Sequence, residues 1–206
     1  MKLYAQYADA LKKVESGRPF LPFVGGEAAR IECCALAAKV CFGVPGNAAI
    51  DPWQVAAGVG IVVYGAEFFA GLPEEQRRQA LEDGKAHWSA GTMIGDKGVL
   101  IVLNPTHSRT RQKATLGEEL AHIVLGHPPS KLDPVTGLRT YNTDVESEAY
   151  AVGAAMILPY SQLFDLAKQG QSEQSLASRY EVSVPFVRAR INRAGLRGMY
   201  RKRANA

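Results

Sequence analysis

The chain has 206 residues, 47% apolar and 21% charged, enough to bury a core and too apolar for wholesale disorder. Its longest apolar-plus-glycine run, Val55 to Ala66, is twelve residues and stops at Glu67, short of the roughly 18 a membrane span needs. The formal net charge of +4 is uneven: Arg179 to Arg203 holds eight basic residues against the single acid Glu181, and the remainder is mildly acidic. Three cysteines, Cys33, Cys34 and Cys41, form neither a disulfide framework nor a Cys-x-x-Cys zinc pair. No apolar h-region opens the chain, so a cytoplasmic, reducing setting without membrane contact is expected.

In chain order, Met1 to Glu15 places Leu3, Tyr7, Leu11 and Val14 on one helical face, and Ala28 to Phe42 is a second, alanine-rich helix. Asp51 followed by Pro52 is a helix start running through Ala57. Gly60 to Tyr64 is a β-branched run that predicts a strand, and Pro73 to Asp83 a charged helix. His87 to Met93 and Gly98 to Leu103 read as strands joined through Gly95-Asp96-Lys97-Gly98. The spacing then predicts helices over Thr115 to Gly126 and Val145 to Leu158, the second stopped by Pro159.

These two helices carry the chemistry. Glu118 and His122 stand four residues apart and project from one side, one turn apart, with Glu119 on the adjoining face. A carboxylate and an imidazole on a largely apolar helix need a partner or a metal. The string Glu118-Glu119-Leu120-Ala121-His122 is one residue short of His-Glu-x-x-His, in which two histidines bind zinc and the glutamate is general base. The string alone also fits a helix that carries acids near its N-terminus and binds nothing. On the second helix Glu148, Val152 and Ala155 fall in line, and Ala149, Gly153, Ala154 and Ala155 let another helix approach closely. Glu146 lies about 200° around from Glu148, so one of the two at most faces the site.

Asn104, the run Thr115 to His127, and Glu146-Ser147-Glu148-Ala149 leading to Ile157-Leu158-Pro159 together resemble the ImmA/IrrE family of metallopeptidases. The resemblance extends over roughly Ala48 to Arg193. It implies an α+β, zincin-like fold: a small antiparallel sheet packed on an active-site helix and a second ligand-bearing helix, with a helical C-terminal end. It divides the chain into an N-terminal helical extension (1–45), a metallopeptidase-like domain (46–170) and a basic, helix-turn-helix-like segment (171–206).

By the same resemblance Glu119 is the catalytic base, His122 and Glu148 are metal ligands, and Glu118 occupies the place of the first histidine. The family is zinc-dependent, cytoplasmic and regulatory, and cleaves helix-turn-helix repressors. The expected function is therefore a metalloendopeptidase with an altered first ligand, its substrate such a repressor. Carboxylate oxygen is an acceptable zinc ligand, although two anionic ligands acidify bound water less and move preference toward harder ions such as manganese. His127 stands about 140° from His122 on an ideal helix, so only a helix end at Gly126 would let it turn back; otherwise it caps carbonyls. The isolated His87 and His107 read as loop or strand-end side chains, and Tyr150 as a core residue or an oxyanion donor.

A second reading, from a different class, is a catalytically inactive relative that binds a repressor or DNA. Leu176, Ala177, Val182, Val187 and Ile191 have helix-turn-helix spacing with the turn near Glu181, and Arg188, Arg190 and Arg193 would decorate the second helix for phosphate contact. Pro185 is tolerable there only in the first turn.

Overall fold

The structure is a computed structural model and describes residues 2–17, 19, 21–22, 24–83, 88–128 and 142–204. Two helices open it, α1 (Lys2–Ser16) and α2 (Gly26–Cys41), followed by the short α3 (Pro52–Gly58). Asp51 caps α3 as expected, its carboxylate accepting from the Trp53 and Gln54 amides. Strand β1 (Val62–Tyr64) precedes the charged turn of helix α4 (Glu74–Arg78), which widens into a π turn through Asp83. Strands β2 (Ala90–Gly95) and β3 (Gly98–Leu103) form the expected hairpin, with Gly95 opposite Gly98 across the two-residue loop.

β1 adds to β3 in parallel, giving the order β1-β3-β2 and a mixed sheet where an antiparallel one was expected. The reason is the long excursion between β1 and β3, which returns the chain to run beside β1 in the same sense. The central strand β3 buries Ile101, Val102 and Leu103, and β2 is an edge.

Helix α5 (Arg109–Leu125) begins six residues before the position its apolar spacing marks. Ser108 caps it, and its polar first turns are held by tertiary partners: the buried Lys113 donates to the Tyr180 carbonyl at 2.8 Å. Leu116, Leu120, Ala121 and Val124 are fully buried along its inner face. Helix α6 (Thr143–Ile157) is capped by Asn142 and ends before Pro159. After it come α7 (Tyr160–Lys168), α8 (Glu173–Tyr180), α9 (Val184–Arg193) and α10 (Arg197–Ala204). One hydrophobic cluster runs from Tyr7 on α1 to Leu196 before α10, so the two ends of the chain share the core of the middle. Among the described residues no helix is long and apolar enough to cross a membrane.

The expected turn between α8 and α9 falls at Glu181, in left-handed conformation at φ 52°, and Pro185 sits in the first turn of α9. Arg190, however, does not decorate that helix. It is 2% exposed, ion-paired to Glu32 of α2 at 2.7 Å, and donates to the Leu158 carbonyl. Helix α9 lays this face against the rest of the protein, so Arg190 is a tie between segments and is closed to a phosphate. Arg188 pairs with Glu173 and Arg193 donates to the Ser147 carbonyl.

Candidate metal centre

Helices α5 and α6 cross where Gly117 meets Gly153. A Cβ built on Gly153 would lie 2.6 Å from the Gly117 carbonyl oxygen, and one on Gly117 would lie 2.7 Å from Ile157 Cδ1. Only glycine permits backbones this close. The crossing sets the residues beside it, Glu118 and His122 on α5, against the first turn of α6.

Glu118, His122 and Glu146 each turn one ligand-type atom into this space, all within 4.8 Å of one another. His122 Nε2 stands 3.5 Å from Glu146 Oε2. All three residues are half-buried. Burial pushes the Glu118 carboxyl up to about 7, and the neighbouring Glu119 and Glu146 carboxylates add to the rise. Burial likewise holds the His122 imidazole below its ordinary value, against the opposing pull of Glu146. The site thus offers two carboxylates and an imidazole that favours its neutral, lone-pair-bearing form, and its crowded negative charge is what a divalent cation relieves. Two oxygens and one nitrogen fit zinc, and tolerate manganese.

Glu146, rather than Glu148, is the acid that α6 brings to His122. Glu148 faces α2 and the end of α5: its Oε1 accepts from Arg30 at 2.5 Å and its Oε2 meets His127 Nε2 at 3.1 Å. His127 does turn back toward the site. Gly126 ends α5 in left-handed conformation at φ 73°, the His127 amide donates to the His122 carbonyl, and the two imidazoles meet Nδ1 to Nδ1 at 3.1 Å.

Glu119 lies on the sheet side of α5, where the Thr92 hydroxyl on edge strand β2 donates to its Oε2 at 2.6 Å. A cleft of about 670 Å³ runs beside it, walled by Phe68, Phe69 and Trp88 and floored by Thr92, Glu118 and Glu119. Thr92, Arg30 and the aromatic wall carry no motif and were not legible in the sequence. Asn104 is fully buried and structural, its amide donating to the Trp88 carbonyl and its oxygen accepting from Thr106. Tyr150 packs its ring against Phe186, and burial and the nearby Glu118 raise its phenol. His107 follows β3 in a turn, and His87 lies outside the described residues. The three cysteines are free, with burial the first cause raising each thiol, which suits packing rather than nucleophilic attack.

A small sheet beside two crossed helices that present an O, N, O donor set defines a metallopeptidase-like protein. Residues 75–192, more than half of the chain, match the family model of the IrrE N-terminal-like domain of the M78 peptidases, and the chain belongs to that family. No curated protein and no solved structure matches it.

Proposed function

We propose that the chain is a metal-dependent endopeptidase of a regulatory kind, acting in the cytoplasm on a helix-turn-helix repressor. The observation that supports it most is the convergence of Glu118, His122 and Glu146 within 4.8 Å, inside a chain segment of peptidase ancestry. These three residues would hold zinc, with manganese second. The ion, when bound, supplies a Lewis acid for the scissile carbonyl and for a water.

The chain's own groups do the rest. Glu119 takes the proton of the attacking water, its carboxylate oriented by the Thr92 hydroxyl. The cleft of Phe68, Phe69 and Trp88 receives an apolar side chain of the substrate next to the bond to be cut. The basic C-terminal end, with Arg190 committed to Glu32, has fewer cations for DNA than its sequence suggests. A protein substrate is therefore the favoured partner.

The test is metal content by elemental mass spectrometry on untagged protein, with His122→Ala alongside. Near-stoichiometric zinc or manganese that disappears in the variant is expected. No metal in either sample, after incubation with zinc, would overturn the reading.

A further inference from the structure

We propose that Glu148, anchored by Arg30, positions His122 through His127, so that the His122 Nε2 lone pair is aimed at the space shared with Glu118 and Glu146. The inference rests on the metal reading above and adds a positioning relay supplied partly by the N-terminal helices, which lie outside the segment matching the family.

The chain of contacts runs Arg30 Nη1 to Glu148 Oε1 at 2.5 Å, Glu148 Oε2 to His127 Nε2 at 3.1 Å, and His127 Nδ1 to His122 Nδ1 at 3.1 Å. An ionised carboxylate only accepts hydrogen bonds, so His127 must donate from Nε2. A neutral imidazole carries one proton, which makes His127 Nδ1 an acceptor. His122 must then donate from Nδ1, and its Nε2 is left bare. That nitrogen stands 3.5 Å from Glu146 Oε2. With both imidazoles neutral, two nitrogen atoms facing each other permit this single direction of donation once the carboxylate end is fixed. The relay therefore sets both the tautomer and the ring orientation of His122, as outer partners of metal-bound histidines do elsewhere.

The local sequence makes the relay feasible. Gly126 in left-handed conformation reverses the chain after α5, and the Tyr4 ring of α1 packs on it, leaving no room for a Cβ. Arg30 is on α2, which packs along α6 and holds the guanidinium between Glu27 and Glu148. Burial and the half-buried setting of His127 and Glu148, 10% and 25% exposed at their side chains, keep bulk water from substituting freely for either partner.

The test uses the full-length chain in two measurements. In the metal-free protein near pH 8, long-range ¹H–¹⁵N spectra report which His122 nitrogen carries the proton. Nδ1 is expected in the parent, and a mixture dominated by Nε2–H in His127→Ala and Glu148→Ala. Zinc affinity by chelator competition should fall roughly 10- to 100-fold in both variants, while Glu148→Gln, which keeps an acceptor for His127, stays close to the parent. If Glu148 were instead a direct ligand, Glu148→Gln would lose as much affinity as Glu148→Ala and His127→Ala would lose none, which overturns the relay. An unchanged His122 tautomer in both alanine variants overturns it too. A parent that binds no zinc but shows the expected tautomer pattern would overturn the metal reading and leave the relay supported.

Discussion

Gly117 and Gly153 touch backbone to backbone, and this one contact decides where Glu118, His122 and Glu146 converge. With a Cβ on Gly153 only 2.6 Å from the Gly117 oxygen and 2.8 Å from the Glu118 nitrogen, any side chain there must push α5 and α6 apart. Gly153→Ala should destabilise the protein by about 1–3 kcal/mol and weaken zinc binding with it, since Glu146 moves with α6. Thermal unfolding and a zinc titration check this. A variant of parental stability and zinc affinity would show that the crossing is softer than its geometry.

Glu118 is the departure from the two-histidine motif. Glu118→His would exchange a carboxylate crowded by Glu119 and Glu146 for a neutral imidazole. Tighter zinc binding and faster peptide hydrolysis are expected, read by chelator competition and a peptide assay. Weaker binding would mean that the second charge, and not the ligand atom alone, is what holds the ion.

Glu119→Gln separates holding a metal from using it. The residue stands outside the Glu118–His122–Glu146 set and bonds to Thr92. Metal content should stay at the parental level while hydrolysis falls about 10²- to 10⁴-fold. A loss of metal would make Glu119 a ligand.

The Glu32–Arg190 pair is buried on both sides, at 4% and 2% exposure. Arg190→Ala leaves the Glu32 carboxylate stranded and strips the Leu158 carbonyl of a donor, a loss of roughly 3–5 kcal/mol. The apolar double variant Glu32→Leu with Arg190→Met should recover most of it. Urea unfolding of the three proteins decides; a single variant of parental stability would mean that α9 is not fastened here.

Lys39 gives a pH dependence. Burial lowers its ammonium to about 8, against an ordinary value of 10.5, with Glu32 opposing the shift and Arg190 adding to it. Its Nζ donates to the Gly46 and Ala48 carbonyls. Between these two values the unfolded chain holds a proton that the folded chain has released, so this group's contribution to stability rises with pH. Measured against Lys39→Met, which cancels the titration of the tyrosines, the parent should gain roughly 1–3 kcal/mol between pH 7.5 and 9.5. A difference that is flat across that window would place the charged ammonium comfortably in the fold.

The sequence by itself determined helices α5 and α6, the hairpin, the Asp51 cap and the shared face of Glu118 and His122. These follow from contacts three and four residues apart, which repeat along any helix whatever surrounds it. On the second helix it allowed one of two acids to face the site, and the family resemblance named Glu148. Choosing between them required the facing surface. Gly153 turns out to be the contact with α5, and Glu146, seven residues before it, shares its face, while Glu148 is five before and about 140° away.

Only the tertiary structure decided the rest. The parallel addition of β1, the start of α5 at Arg109 and the burial of Arg190 each depend on partners tens of residues distant, respectively β3, Tyr180 and Glu32. For His127 the sequence offered either a turn back at Gly126 or a carbonyl cap, and the left-handed Gly126 with the facing His122 ring takes the first. Arg30 reached Glu148 across 118 positions of sequence. Periodicity reports which side chains share a face; what that face meets is set by packing.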